Sequence, residues 1–593
     1  MNSSIFDSLN DQQKQAVLCA HGPSIVLAGA GSGKTRVLTQ KVLHLVEKLG
    51  VDSSHIAMMT CTNKAAREMQ ERVPFTLGFI GTFHSLCARI LRRDAPHIGL
   101  SNDFVIYDED DAIALIKKIM KGVVFRKKIT PSMIKYRISS AKDQLIGPQR
   151  FASMVANEYD EAMAQIYMKY QQRLVENNAV DFDDLIFKTV LLFKENPAVL
   201  ARYNKQFTHI LVDEFQDTNT AQYVLARMLA QQDKNITVVG DFSQSIYSWR
   251  GADIQNLKKI ENDFPGTKVF HLEQNYRSTQ KVLDFAYDVI NSTNAHPVLE
   301  LFTNNETGED IKIQQLENEQ DEGIYIAQEV EKIVRAGGAH DDCAVLYRMN
   351  AQSRVIEEAF LHYGIPYVLI GGTRFYERKE IKDILAYLRL LLNPADEVSR
   401  DRAIKLGKTR FAKFLIFQEE IHERIHDIST DELIEKVFDV TGYLSLYDKD
   451  DPQDIPRLEN LKELRSVALK FPDVVELLHQ VSLVESEYSE NERHNKGRAG
   501  VKLMTLHQAK GLEFPIVFIV GLEEGILPHS RAVYDSDQLE EERRLLYVGI
   551  TRAEKKLYLT YVLRRFIFGR RMYAQPSRFL EDHIEKSSYP QTF

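Results

Sequence analysis

Short apolar runs alternate with longer amphipathic stretches along much of this chain. Ile25-Val26-Leu27, Ile56-Ala57-Met58-Met59-Thr60, His209-Ile210-Leu211-Val212, Thr237-Val238-Val239-Gly240, Cys343-Ala344-Val345-Leu346-Tyr347 and residues 516–520 read as buried strands. Helix-patterned sequence follows the first run over residues 35 to about 48, and the second from Thr62. Such alternation predicts a parallel, doubly wound α/β sheet. Polar residues after the strands, as in Gly81-Thr82-Phe83-His84-Ser85, fall where open α/β sheets place ligands. Two stretches depart from the pattern and read as helical, 108–180 and 378–497. The expected order is therefore a first sheet domain (1–107 and 181–275) with a helical insertion (108–180). A second sheet domain (276–377 and 498–593) with its own insertion (378–497) follows.

The run at 25–27 leads into Ala28-Gly29-Ala30-Gly31-Ser32-Gly33-Lys34-Thr35. A glycine-rich loop between strand and helix cradles phosphate on backbone N–H groups, and Gly31 and Gly33 leave room for that approach. Lys34 would reach the β- and γ-phosphates and Thr35 would bind Mg²⁺. Ala28 stands where this pattern usually opens with Gly. The loop indicates a nucleoside triphosphate, not what its energy drives.

Composition narrows the class only modestly. The chain has 593 residues and a net charge of −9, so nucleic-acid binding would need a local basic channel. Lys117, Lys118, Lys121, Arg126, Lys127, Lys128, Lys135, Arg137 and Lys142 make the first insertion basic. They read equally as a solvated helical surface or as a phosphate-contacting patch. Cys19, Cys61, Cys87 and Cys343 form no CxxC pair, so neither a zinc site nor a disulfide scaffold is expected, and a reducing cytoplasm fits. No run reaches the ~18 apolar residues of a membrane span, and the N-terminus lacks a signal-peptide pattern.

Further motifs supply chemistry. Asn10 reads as the N-cap of a short helix carrying Gln13, whose amide can pair with a donor and an acceptor on adenine. The strand at 209–212 ends in Asp213-Glu214-Phe215-Gln216-Asp217. Asp213 would hold Mg²⁺ and Glu214 would deprotonate the attacking water. Gln244 can sense the γ-phosphate, and Tyr247, Trp249 and Arg250 beside it suit base stacking, although a lone Trp is more often core. In Gln274-Asn275-Tyr276-Arg277-Ser278, Tyr276 could stack on adenine and Arg277 could reach the γ-phosphate. A helix-like stretch from Glu540 ends in a second candidate arginine finger, Arg552.

Taken in order, Gln13, Gly29–Thr35, Thr62–Ala66, Gly81–Ser85, Val212–Asp217, Gln244–Ala252, Asn275–Ser278, Leu506–Phe514 and Leu545–Ala553 resemble the motifs of superfamily 1 DNA helicases of the UvrD, PcrA and Rep type. The resemblance spans nearly the whole chain. It implies two RecA-like domains with ATP in the cleft between them, a single DNA strand across both, and translocation 3′ to 5′. Gln13 and Arg36 then correspond to adenine-side contacts. Lys34, Thr35, Asp213 and Glu214 correspond to the catalytic centre. Gln244, Arg277, Glu513 and Arg552 correspond to groups sensing the γ-phosphate or ribose. Tyr247 and Trp249 match the base-stacking pair, Phe182 and Phe579 further pocket aromatics, and His84 and His507 DNA contacts. Single-stranded DNA and single-strand/duplex junctions are the implied partners, with repair or replication proteins beside them.

Three departures bear on this expectation. Cys61 replaces a family Phe, which removes a stacking platform. Phe242-Ser243 stands where acids are common. The second insertion is short, and its stretch 402–410 lacks the Gly-Ile-Gly signature that touches duplex DNA; the chain also ends soon after Phe579, without a long partner-binding tail. A translocase that unwinds poorly alone, a non-catalytic DNA-binding scaffold and a nucleotide kinase are the competing readings. Lys34, Asp213, Glu214 and both arginines disfavour the scaffold; the aromatics and second sheet domain disfavour the kinase.

Overall fold

The computed structural model describes residues 6, 9–123, 129–293, 295–449, 451, 453–495, 500–567 and 570–588. Arg126, Lys127 and Lys128 of the basic stretch lie outside these residues. The chain divides into two compact units, Met1–Arg277 with Thr293–Asn305, and Ser278–Ser292 with Glu306–Phe593. The division thus falls after Arg277 instead of at 275/276, and a short later segment returns to the first unit. The cause is local pairing. Phe302 and Thr303 run parallel to Gln274 and Asn275, and Leu301 packs where a side chain on Gly29 would otherwise project.

In the first unit six parallel strands follow the order Phe79–Thr82, Ile56–Thr60, His209–Val212, Ile236–Gly240, Ser24–Ala28, Lys268–Leu272. The central strands are buried on both faces, which is why they read as unbroken apolar runs. Lys268–Leu272 is an edge strand with mostly open positions, and its sequence carries no such run. Helices Phe83–Asp94, Phe182–Glu195 and Thr220–Ala230 cover one face. Asp11–Leu18 and Lys34–Leu43 cover the other.

A parallel pairing of Val105–Tyr107 with Ala179–Asp181 closes the neck of the first insertion. Its helices, Glu109–Met120, Pro131–Asp143, Pro148–Ser153 and Glu158–Glu176, bury Ile116, Ile134, Ile138, Ile166 and Tyr170 in a core of their own.

The second unit repeats the plan. Its parallel sheet has the order Lys312–Leu316, Ala553–Val562, Phe514–Ile519, Cys343–Tyr347, Val501–Thr505, Tyr367–Leu369. Helices between Lys379 and Asn495 carry a separate apolar core. Arg565 is buried and donates to Glu322 and Glu523, each at 2.7 Å. These charges tolerate burial because each is paired.

Candidate nucleotide and nucleic-acid site

The strand order of the first unit explains how distant motifs meet. Ser24–Ala28, Ile236–Gly240 and His209–Val212 are successive neighbours, all parallel. Their C-terminal ends therefore deliver the phosphate loop, Asp241 to Gln244, and Asp213-Glu214 to one edge.

The loop is held for close approach to a ligand. Gly31 has φ +63°, and a Cβ there would lie 2.7 Å from Asn275 Nδ2. Asn275 Nδ2 donates to the Ala30 carbonyl at 2.7 Å, and its Oδ1 accepts from the Arg277 N–H at 2.7 Å. Gly33, at φ +84°, is the N-cap of the helix Lys34–Leu43, with no side-chain cap. The first-turn N–H groups of Lys34, Thr35 and Arg36 are thus left for an anion.

Gln13 is buried beside this loop. Its Nε2 donates to the Ser32 carbonyl at 2.9 Å, and its Oε1 accepts from the Asn10 N–H at 3.1 Å within a capping box. One N–H and one lone pair of the amide are engaged in this way, and the remaining pair is what it can offer a base. Asn10 also donates to Tyr276 Oη at 2.9 Å, and Tyr276 Oη donates to Gln274 Oε1 at 3.1 Å. The Tyr276 ring is 45% exposed. Arg36 is exposed at the start of its helix.

Asp213 is fully buried, and its Oδ2 accepts from Thr35 Oγ1 at 3.4 Å. Burial, and then the Glu214 carboxylate, push its pKa up to about 7, against the pull of Lys34. A hard oxygen pair carrying this charge stress fits a divalent cation. Glu214 has φ +51°, a left-handed conformation rare for a non-glycine residue. Gln216 Nε2 donates to Glu214 Oε2, while Gln216 Oε1 accepts from the Asp241 N–H at 3.1 Å. Gln244 Nε2 donates to Asp241 Oδ2 at 2.7 Å. Acid pair and Gln244 are thereby linked through Gln216. The sequence reading gave no role to Gln216 or Asn275; both stood inside the quoted motifs, and a burial-prone amide there was the available signal.

Two aromatic stations follow strand ends in the same unit. His84 stacks on Phe182 with centroids 4.0 Å apart at 25°. Burial lowers the His84 pKa to about 4, against the opposing pull of Asp183, so the stacked ring is neutral. Phe182 is 54% exposed, and Trp249 is 41% exposed. Tyr247 meets Trp249 edge-on at 6.5 Å, with Arg250 over the Trp249 ring at 4.6 Å. The lone tryptophan is therefore not a core residue.

Other expectations change. Phe242 is a buried core residue and Ser243 N donates to Asp241 Oδ1 at 3.1 Å, so this departure is a packing choice beside the motif. Cys61 Sγ lies 3.9 Å from the Glu214 carbonyl oxygen. Lys142 is wholly buried and bonded to Asp181, and Lys135 reaches Asp183 at 2.5 Å. These two lysines are neither solvated surface nor a phosphate patch, because acids across the neck neutralise them.

In the second unit the helix Ser536–Ile550 ends before Arg552. Arg552 is buried and donates to the carbonyls of Val548 at 2.9 Å and Leu512 at 3.1 Å. Glu513, next to Leu512, is exposed, and His507 is half-buried. Phe579 is buried with Arg543 over its ring at 4.9 Å, so it is not an open stacking surface in this state.

A phosphate loop, an acid pair and a parallel sheet of this order define a RecA-like P-loop nucleoside triphosphatase, and the second sheet repeats the fold. The UvrD/REP helicase N-terminal domain profile matches residues 9–265, and the UvrD-like helicase C-terminal domain profile matches 270–437 and 408–564. An ATP-dependent DNA helicase PcrA of Leuconostoc citreum is 41% identical, over 98% of this chain and 85% of that protein. The protein of the same name from Bacillus subtilis (strain 168) is 41% identical over 98% and 86%. That of Staphylococcus aureus (strain NCTC 8325 / PS 47) is 40% identical over 98% and 87%. The chain belongs to the UvrD/REP helicase family.

Proposed function

We propose that this chain is an ATP-dependent DNA helicase and translocase, moving 3′ to 5′ along a single strand and opening duplex ahead of it. The observation that carries this reading is the first unit's shared edge: a nucleotide centre and two exposed aromatic stations follow the ends of parallel strands.

In this reading Lys34 and the first-turn N–H groups bind the terminal phosphates. Thr35 and Asp213 would hold Mg²⁺, whose charge offsets that of the phosphates. Glu214 orients a water and takes its proton, and Gln244 and Arg277 respond to the γ-phosphate. Gln13, Arg36 and Tyr276 recognise the adenine side. Arg552 and Glu513 complete nucleotide sensing, on the strength of the family resemblance. Phe182, His84, Tyr247 and Trp249 stack bases, with His507 as a further DNA contact. Losing the γ-phosphate removes the charge that the arginines hold, so the grip on DNA can change once per turnover.

Repair or replication in the cytoplasm is the proposed setting. No described helix is long and apolar enough to cross a membrane.

Steady-state ATP hydrolysis with single-stranded DNA of increasing length tests the reading. Turnover should rise with DNA and with strand length, and the DNA needed should climb steeply with salt. Hydrolysis indifferent to DNA would overturn the proposal. A duplex with a 3′ tail should be opened and one with a 5′ tail should not. Length-dependent hydrolysis without unwinding would instead select the translocase reading. One observation favours keeping it: at 402–410, Gly407 only joins two helices, and Arg410 donates to the carbonyls of Leu406 and Thr441.

A further inference from the structure

The helix Pro131–Asp143 belongs to the first insertion, yet its polar face meets the sheet domain. Lys135, Ser139, Lys142 and Asp143 fall at helical spacings of four, seven and eight, so they share one side. Lys135 Nζ and Ser139 Oγ both donate to Asp183 Oδ2, at 2.5 and 2.6 Å. Lys142 donates to both oxygens of Asp181, at 2.9 and 2.8 Å, and lies 3.0 Å from Asp184. Asp181 and Asp183 are the two neighbours of Phe182, so the acids on either side of the exposed ring are held by one helix.

The far end of the helix reaches the second station. Asp143 Oδ1 accepts from Asn219 Nδ2 at 2.6 Å. Asn219 caps the helix that follows the catalytic acid loop. A Cβ on Gly251 would lie 2.7 Å from Asp143 Oδ2, so the backbone just beyond Trp249 and Arg250 rests on this carboxyl. Gly251, at φ +85°, ends the short turn Ser248–Arg250 that presents Trp249.

We propose that the helix Pro131–Asp143 is a positioning strut, with Lys135 and Lys142 fixing Phe182 and Asp143 fixing the Trp249 turn, so that one rigid element sets the separation of the two base-stacking stations. The proposal rests on the reading of those aromatics as DNA contacts. Neither lysine touches DNA or nucleotide in it; each acts through its acid. Burial opposes the charge on Lys142, but Asp181 and Asp184 hold its pKa above the usual lysine range, so the clamp stays charged. Burial, then Asp183, raises Asp143 to about 8 against the pull of Lys135, so its carboxyl can sit protonated near the other acids.

The test uses the full chain and an oligodeoxythymidine of about 20 nucleotides. Lys135→Met should raise the DNA concentration for half-maximal binding about fivefold, with DNA-free hydrolysis within about twofold of the parent. Lys135→Arg should restore binding. Adding Phe182→Ala to Lys135→Met should cost clearly less than Phe182→Ala costs alone, because both remove the same placed ring. Fully multiplying effects, or parental binding by Lys135→Met, overturn the strut. If Phe182→Ala alone leaves DNA binding unchanged, the stacking reading fails at its root, a different result from failure of the strut. Should Lys135→Met not fold, Ser139→Ala removes a single bond to Asp183 and should weaken binding in the same direction. Trp249 is the only tryptophan of the chain, so its emission reports the other end directly. Asp143→Ala should shift that emission in the absence of DNA and Asp143→Asn should restore it; an unshifted spectrum overturns the Asp143 arm.

Discussion

Glu214→Gln is expected to keep nucleotide binding near the parent value and to lower DNA-stimulated turnover by about 10²–10⁴-fold. The substitution preserves shape and leaves an amide oxygen where the carboxylate accepts from Gln216 Nε2. What disappears is the capacity to take a proton. The backbone argues that this residue is placed for chemistry: its φ of +51° is an uncommon conformation, and it follows a buried acid. Asp213 is the less suitable base, because it faces Thr35 and the phosphate loop. Phosphate release at saturating DNA, paired with equilibrium binding of a fluorescent ATP analogue, separates the two effects. Turnover close to that of the parent would remove Glu214 from the role of general base. Loss of binding and turnover together would make it an organiser of the loop.

The sequence was most legible where function and burial coincide. Strand runs buried on both faces are apolar without interruption, and the chemistry follows each at its end. The edge strand Lys268–Leu272 escaped because its positions are mostly open and its pattern carries no contrast. Lys135 and Lys142 were misread for a different reason. A lysine count along one stretch cannot show acids 39 and 48 residues away, which the fold brings alongside where Val105–Tyr107 pairs with Ala179–Asp181. Phe242 stood where acids are common in the motif, with no role readable from sequence, yet it fills the core under the sheet. Gln216 illustrates the limit in the opposite sense. Its residue type was visible, but a link between Glu214 and the Asp241 N–H depends on two neighbouring strands ending together.

Trp249→Ala should weaken single-stranded DNA binding by about 1–3 kcal/mol, or roughly 5- to 150-fold. It should reduce hydrolysis at limiting DNA far more than hydrolysis without DNA. The ring is 41% exposed and is not needed to fill a core, so deleting it removes a contact surface and leaves no cavity. Arg250, 4.6 Å above the ring, adds a cation that a stacked nucleotide can share. Its position over both Trp249 and Tyr247 ties the pair into one platform. Trp249→Phe keeps a π face at the same place and should recover part of the lost affinity. Side-chain flexibility alone predicts no such ranking among Trp, Phe and Ala. DNA titrations followed by anisotropy, beside hydrolysis measured with and without DNA, distinguish the outcomes. Equal losses in both hydrolysis rates would mean that Trp249 supports the Gln244 loop from which it projects. A loss confined to the DNA-stimulated rate would place it on the path of the strand.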